Sequence, residues 1–108
     1  MGLFQSNTPG PSNLSIPNEI ADILQIIRSK IDGTTDINGT QFDMRDELTT
    51  YLETCINALR KLDYSCLKEL KIDFLPTSTF QELSMNNAWG EEYIRLSSRF
   101  DELYSSIK

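Results

Sequence analysis

The chain has 108 residues and a mass of 12.3 kDa, which is the size of a single domain. Sixteen acidic residues against ten basic ones give a formal net charge of −6 at pH 7, and histidine is absent. A protein that binds nucleic acid normally presents a basic face to the phosphates, so this charge balance argues against such a partner. Without histidine the chain also lacks a Ser-His-Asp triad, a Cys-His pair and a Glu-x-x-His di-iron site.

The first fifteen residues are rich in asparagine, serine, proline and glycine, which favour turns and bury little surface. We interpret residues 1–15 as a flexible arm that precedes a helical domain at residues 16–108. No secretory signal is visible, and no stretch approaches the roughly 18 apolar residues that a membrane span needs. Cys55 and Cys66 fall in apolar, helical surroundings, so we expect free thiols and a cytoplasmic location.

The spacing of apolar residues predicts two helices in the first part of the domain. The first begins near Pro17 and stops at Gly33, and its apolar residues recur every three or four positions from Ile20 to Ile31. The second covers residues 42–62, with acidic residues at its start and basic residues at its end, as the helix dipole prefers. This second helix is the longest one in the prediction.

Three more helical segments are predicted in the remainder of the chain. One covers residues 64–74 and ends before Pro76. A short helix capped by Ser78 or Thr79 follows and breaks at Asn86. The last helix carries a regular apolar stripe up to Ile107. Together these segments predict an all-α fold, a small antiparallel bundle of four helices, or of five when the short one is counted.

The densest polar group of the sequence lies between the first two predicted helices and at the start of the second. Residues 36–39 resemble the centre of a calcium-binding EF-hand loop, but alignment on Gly39 puts Thr34 and Arg45 at positions that require acids. We therefore predict no metal and no cofactor. The group is either a solvated loop with favourable helix-start charges or a contact surface for a basic partner. Its candidate partner-binding residues are Asp36, Asp43, Asp46 and Glu47.

Trp89, the only tryptophan, is the fifth candidate partner-binding residue. It continues the apolar stripe of Tyr93 and Leu96, which predicts a core residue. The alternative is a partly exposed anchor at a helix start, since tryptophan often dominates the energetics of interfaces.

These features favour a non-catalytic, acidic binding domain that contacts a basic protein partner, as a monomer or a homodimer. Its size, charge and helix count are similar to those of bacterial immunity proteins, which neutralise a basic toxin by masking its active surface, and a regulatory adaptor fits the same facts. The alternative is a structural domain that self-associates through the seven-residue apolar pattern of its long helices. A third hypothesis is a ligand pocket or weak enzyme activity inside the bundle, among Ile27, Leu52, Phe74 and Phe100.

Overall fold

The structure, a computed structural model, describes residues 15–107 of the chain. Five helices occur there: α1 (Ser15–Ser29), α2 (Arg45–Arg60), α3 (Leu67–Asp73), α4 (Thr79–Asn86) and α5 (Gly90–Ile107). These described residues include no β-strand, so the predicted all-α fold is confirmed in its five-helix form. None of the five helices is both long enough and apolar enough to cross a bilayer. The predicted arm lies outside the described residues, except for Ser15, which belongs to α1.

Helix α1 packs against both of the other long helices and runs antiparallel to each of them. The direction is visible in ion pairs, because with each neighbour the earlier residue of α1 pairs with the later residue of that helix, and the residue at or just past the end of α1 pairs with the earlier one. These pairs are Asp22–Arg60 and Arg28–Glu53 with α2, and Glu19–Arg99 and Lys30–Glu92 with α5. Surface ion pairs contribute about 0–1 kcal/mol each, so burial of the apolar stripes supplies most of the stability.

The apolar stripes of the helices meet in one contiguous core. Phe74, which follows the last residue of α3, lies at the aromatic centre of this core. The centroid of its ring lies 4.1 Å from that of Phe100, in a stacked arrangement, and 4.8 Å from that of Phe80, in an edge-to-face arrangement. Ile27 and Leu52 are fully buried in the same core. The residues proposed to surround an internal ligand pocket are therefore members of a single packed cluster.

The ends of α1 and α3 differ from the predicted positions because short polar side chains form turns there. Helix α1 ends at Ser29, before the predicted stop at residue 33, and the Asp32 carboxylate then accepts hydrogen bonds from the backbone and hydroxyl of Thr34. Helix α3 begins at residue 67 rather than 64, because the carboxylate of Asp63 accepts the backbone N–H of Ser65. These hydrogen bonds lower the pKa of Asp32 and of Asp63.

Candidate functional site

The acidic residues of the α1–α2 connection and of the first turn of α2 are exposed, and two of them line a shallow depression. Asp43 and Asp46 line this depression of about 330 Å³ together with Ile37, Met44 and Arg45. We refer to the following set as the acidic surface: the carboxylates Asp36, Asp43, Asp46 and Glu47, around the apolar side chains Ile37 and Met44.

Glu47 determines where α2 begins. Its Oε1 atom accepts hydrogen bonds from the backbone N–H groups of Asp43 and Met44, both at 3.2 Å. Met44 precedes the first helical residue, and Glu47, the third residue of the helix, reaches back to its N–H as the glutamate of a capping box does. The predicted start of α2 at residue 42 is therefore three residues early, and Asp43 lies before the helix rather than in its first turn.

The loop that carries Asp36 is held by two asparagines at the end of α4. The Oδ1 atom of Asn87 accepts the backbone N–H of Asp36 at 2.9 Å, and its Nδ2 atom donates to the backbone carbonyl of the same residue at 2.8 Å. The Nδ2 atom of Asn86 donates to the carbonyl of Asn38 at 2.7 Å. The sequence pattern indicated a helix break at these asparagines but not these contacts, because their partners lie about fifty positions away along the chain.

Gly39 allows the same loop to turn tightly against α4. The Thr40 N–H donates to the carbonyl of Ile37 at 3.1 Å, and Gly39 has a φ of 84°, which residues with a Cβ rarely adopt. A Cβ at this position would lie 2.8 Å from a carboxylate oxygen of Glu82. The glycine thus brings a further acidic side chain, from α4, beside the loop that bears Asp36.

The carboxylates of the acidic surface are not neutralised within the described part of the chain. None of the six ion pairs among residues 15–107 includes them. Arg45 lies among them, but its guanidinium donates to the backbone carbonyl of Thr35 at 3.1 Å. Four carboxylates against one guanidinium leave a local formal charge of −3, which favours the approach of a basic surface.

Trp89 lies apart from the acidic surface, at the start of α5. The residue is only 9% exposed and belongs to the core. The centroid of its ring lies 6.3 Å from that of Tyr93, in an edge-to-face arrangement. Lys30 lies over the indole at 5.7 Å while also pairing with Glu92. Of the two interpretations drawn from the sequence, the core residue describes this geometry and the exposed anchor does not.

A buried polar group lies beneath the connection between α1 and α2. The carboxylate of Asp73, which is 1% exposed, accepts the hydroxyl of Tyr51 at 2.5 Å and the amide of Gln41 at 2.9 Å. Burial raises the pKa of Asp73 to about 6 although the bond from Tyr51 opposes the shift, and burial also raises the pKa of the Tyr51 hydroxyl. Because this carboxylate is enclosed, it fastens α3 to α2 and to the connection before it, rather than facing a substrate.

Among residues 15–107, no three cysteine or carboxylate side chains converge in a way that would hold a metal ion. Comparison of the chain with protein families, with curated proteins and with solved structures gives no match.

Proposed function

We propose that this chain is a non-catalytic binding domain that receives a basic protein partner on its acidic surface. The observation that carries the proposal is a set of exposed carboxylates that have no ion-pair partner among the described residues and that surround apolar side chains. Met44, which lines the depression beside Asp43 and Asp46, is 58% exposed. An apolar centre inside a polar rim is typical of protein interfaces, and complementary charge accelerates the encounter of the two partners.

The charge and shape of the acidic surface define the partner by its chemistry. It carries lysine and arginine side chains around a small apolar contact that covers Ile37 and Met44. A basic toxin held by an immunity-type inhibitor and a basic subunit held by a regulatory adaptor both meet this description. We place the domain in the cytoplasm, where the free thiols of Cys55 and Cys66 remain reduced.

The test compares proteins captured by three forms of the full chain from a lysate of the organism that encodes it. The first form is the wild type, and the second is D43N/D46N, which removes two charges from the acidic surface. The third is E53Q/E102Q, which removes two charges elsewhere and serves as a control matched in net charge. Mass spectrometry quantifies each captured protein.

We expect basic proteins that the wild type and E53Q/E102Q retain and that D43N/D46N loses. Added salt weakens the same interaction, because it screens charges that are separated by more than about 8–10 Å. An identical set of captured proteins for all three forms would show that the acidic surface is not the interface.

A further inference from the structure

The two cysteines of the chain lie side by side, although they belong to different elements of the fold. Cys55 is a fully buried residue of α2, and Cys66 directly precedes the first residue of α3. The Cys55 thiol is hydrogen-bonded to Cys66, and Cys66 packs against the core to which Cys55 belongs. Both cysteines are free thiols in the structure, so the fold holds an adjacent dithiol.

A tight reversal of the chain after α2 brings the two thiols together. The N–H of Asp63 donates to the carbonyl of Ala58 at 2.8 Å, which turns the chain back over the last turn of α2. Leu62, just before it, has a φ of 64°, the left-handed conformation in which many helices end. Because backbone hydrogen bonds hold this connection, the folded chain keeps Cys55 and Cys66 close to each other.

The two thiols differ in their access to solvent. Cys66 is partly exposed, whereas Cys55 has no exposed surface. Burial raises the pKa of the Cys55 thiol, and the hydrogen bond to Cys66 raises it further. The hydroxyl of Tyr51, which donates to the buried carboxylate of Asp73, lies beside the same thiol. A reagent in solution therefore reaches Cys66 first, and Cys55 reacts with whatever becomes attached to Cys66.

We propose that Cys66 and Cys55 form an oxidation site for small disulfides such as glutathione disulfide, in which Cys66 attacks the reagent and Cys55 resolves the product. The Cys66 thiolate attacks one sulfur of glutathione disulfide, which forms a mixed disulfide and releases one glutathione thiolate. The Cys55 thiolate then attacks the Sγ atom of Cys66, which forms the Cys55–Cys66 bond and releases the second glutathione thiolate. The two protons of the cysteine thiols end on the two glutathiones. The chain thus loses two electrons, and the reagent gains them.

The new bond connects α2 to the start of α3 and closes a short loop of the chain. Folding already holds the two thiols together, so oxidation is more favourable in the folded chain than in the unfolded one. By the same thermodynamic cycle, the disulfide stabilises the fold by the factor that separates these two oxidation equilibria. In a reducing compartment the pair stays a dithiol, and it closes when glutathione disulfide accumulates.

The test equilibrates the full chain with mixtures of glutathione and glutathione disulfide, both in native buffer and in concentrated urea. After acid quenching, intact mass spectrometry distinguishes three forms: the dithiol, a chain that has lost two hydrogen atoms, and a chain that has gained a glutathionyl group. We expect the folded wild type to pass from the dithiol to the intramolecular disulfide, with an equilibrium constant at least about tenfold larger than in urea. Excess dithiothreitol should reverse the reaction, and the oxidised chain should unfold at a higher urea concentration than the reduced one.

Two variants assign the roles of the two cysteines. Cys55→Ala lacks the resolving thiol, so Cys66 should stop at the mixed disulfide with glutathione. Cys66→Ser leaves only the buried thiol, so the folded chain should remain unmodified. Circular dichroism confirms that both variants fold. If Cys55→Ala does not fold, the wild type and Cys66→Ser still decide the proposal.

Three results would overturn the proposal. The first is a folded wild type that forms no intramolecular disulfide, whether it stays reduced, accumulates the mixed disulfide or forms disulfide-linked dimers. The second is an oxidation equilibrium constant in the folded chain that is no larger than in urea. The third is a folded Cys66→Ser variant that glutathione disulfide modifies as readily as the wild type. None of these results affects the capture of basic proteins by the acidic surface, so the two ideas fail separately.

Discussion

The side-chain amide of Asn87 bonds to both backbone polar groups of Asp36. Its oxygen accepts the N–H at 2.9 Å, and its nitrogen donates to the carbonyl at 2.8 Å, while the same nitrogen also bonds to the carbonyl of Leu83 in α4. The end of α4 therefore fixes the conformation of a loop that the chain forms about fifty residues earlier. The shape of the acidic surface depends on this distant contact.

The substitution Asn87→Ala is expected to loosen that loop. It removes three hydrogen bonds at a partly buried position, so we expect a loss of about 1–2 kcal/mol in the free energy of unfolding, measured by urea denaturation. Hydrogen exchange at the amide of Asp36 should become faster. The control Asn86→Ala removes a single bond to the same loop and should have a smaller effect. Unchanged exchange at Asp36 in Asn87→Ala would mean that the amide does not hold the loop.

Two substitutions at Glu47 separate its capping role from its charge. Glu47→Gln retains an oxygen that can accept the N–H groups of Asp43 and Met44, so it should preserve most of the stability. Glu47→Ala removes the acceptor and should lower the free energy of unfolding by about 0.5–2 kcal/mol. Thermal denaturation measures this difference. Equal losses in the two variants would indicate that charge at the helix start, rather than hydrogen bonding, provides the stabilisation.

Asp73 should make the stability of the fold depend on pH. Its pKa is about 6 in the folded chain against 3.8 as the ordinary value, so the folded state binds more protons between these two limits. The free energy of unfolding that Asp73 contributes is therefore largest below pH 4 and falls as the pH rises to 6. The span of the shift corresponds to about 3 kcal/mol at most.

To isolate this group, the free energy of unfolding of Asp73→Asn is compared with that of the wild type. Urea denaturation measures both at pH values about half a unit apart, from about 3.5 to about 7. Exposed Asp32 and Asp63, whose lowered pKa values act in the opposite direction, contribute equally to both proteins. We expect the difference in stability between the two proteins to change steadily through the interval from 4 to 6. Parallel curves would show that the Asp73 carboxylate keeps an ordinary pKa in the folded chain.

Leu52→Ala tests the packing of α2 against the core. Leu52 has no exposed surface, and its truncation should cost about 2–5 kcal/mol in the free energy of unfolding. Thr54→Ala, at an exposed position of the same helix, is the control and should stay within about 0.5 kcal/mol of the wild type. A loss below about half a kilocalorie at Leu52 would mean that the buried face of α2 is assigned incorrectly.

Much of the fold is predictable from the sequence because burial of an amphipathic helix leaves a periodic pattern in the chain itself. Leu48 and Leu59 lie in the second predicted helix and Phe100 and Leu103 on the apolar stripe of the last one, and all four are buried. The helix ends were less predictable. Their positions depend on individual hydrogen bonds, such as that of Asp63 to the N–H of Ser65, which compete with helix continuation and leave no periodic pattern.

The candidate site was predictable only in its charge. The sequence indicated an acidic group and its place at the start of α2, but Arg45 within that group donates to Thr35 rather than pairing with a carboxylate. The contact between Asn87 and Asp36 and the burial of Asp73 beside Tyr51 arise from tertiary packing. Contacts between residues far apart in the sequence are not encoded in local patterns, so one sequence alone does not show them.

The most direct test of the acidic surface is the affinity of the chain for a captured basic partner, measured by calorimetry at increasing salt concentration. For the wild type, the dissociation constant should rise with salt. D43N/D46N should bind more weakly at low salt and depend less on salt, whereas E53Q/E102Q should follow the wild type. Equal affinities and equal salt dependences for the wild type and D43N/D46N would contradict the proposal that a basic protein docks on this surface.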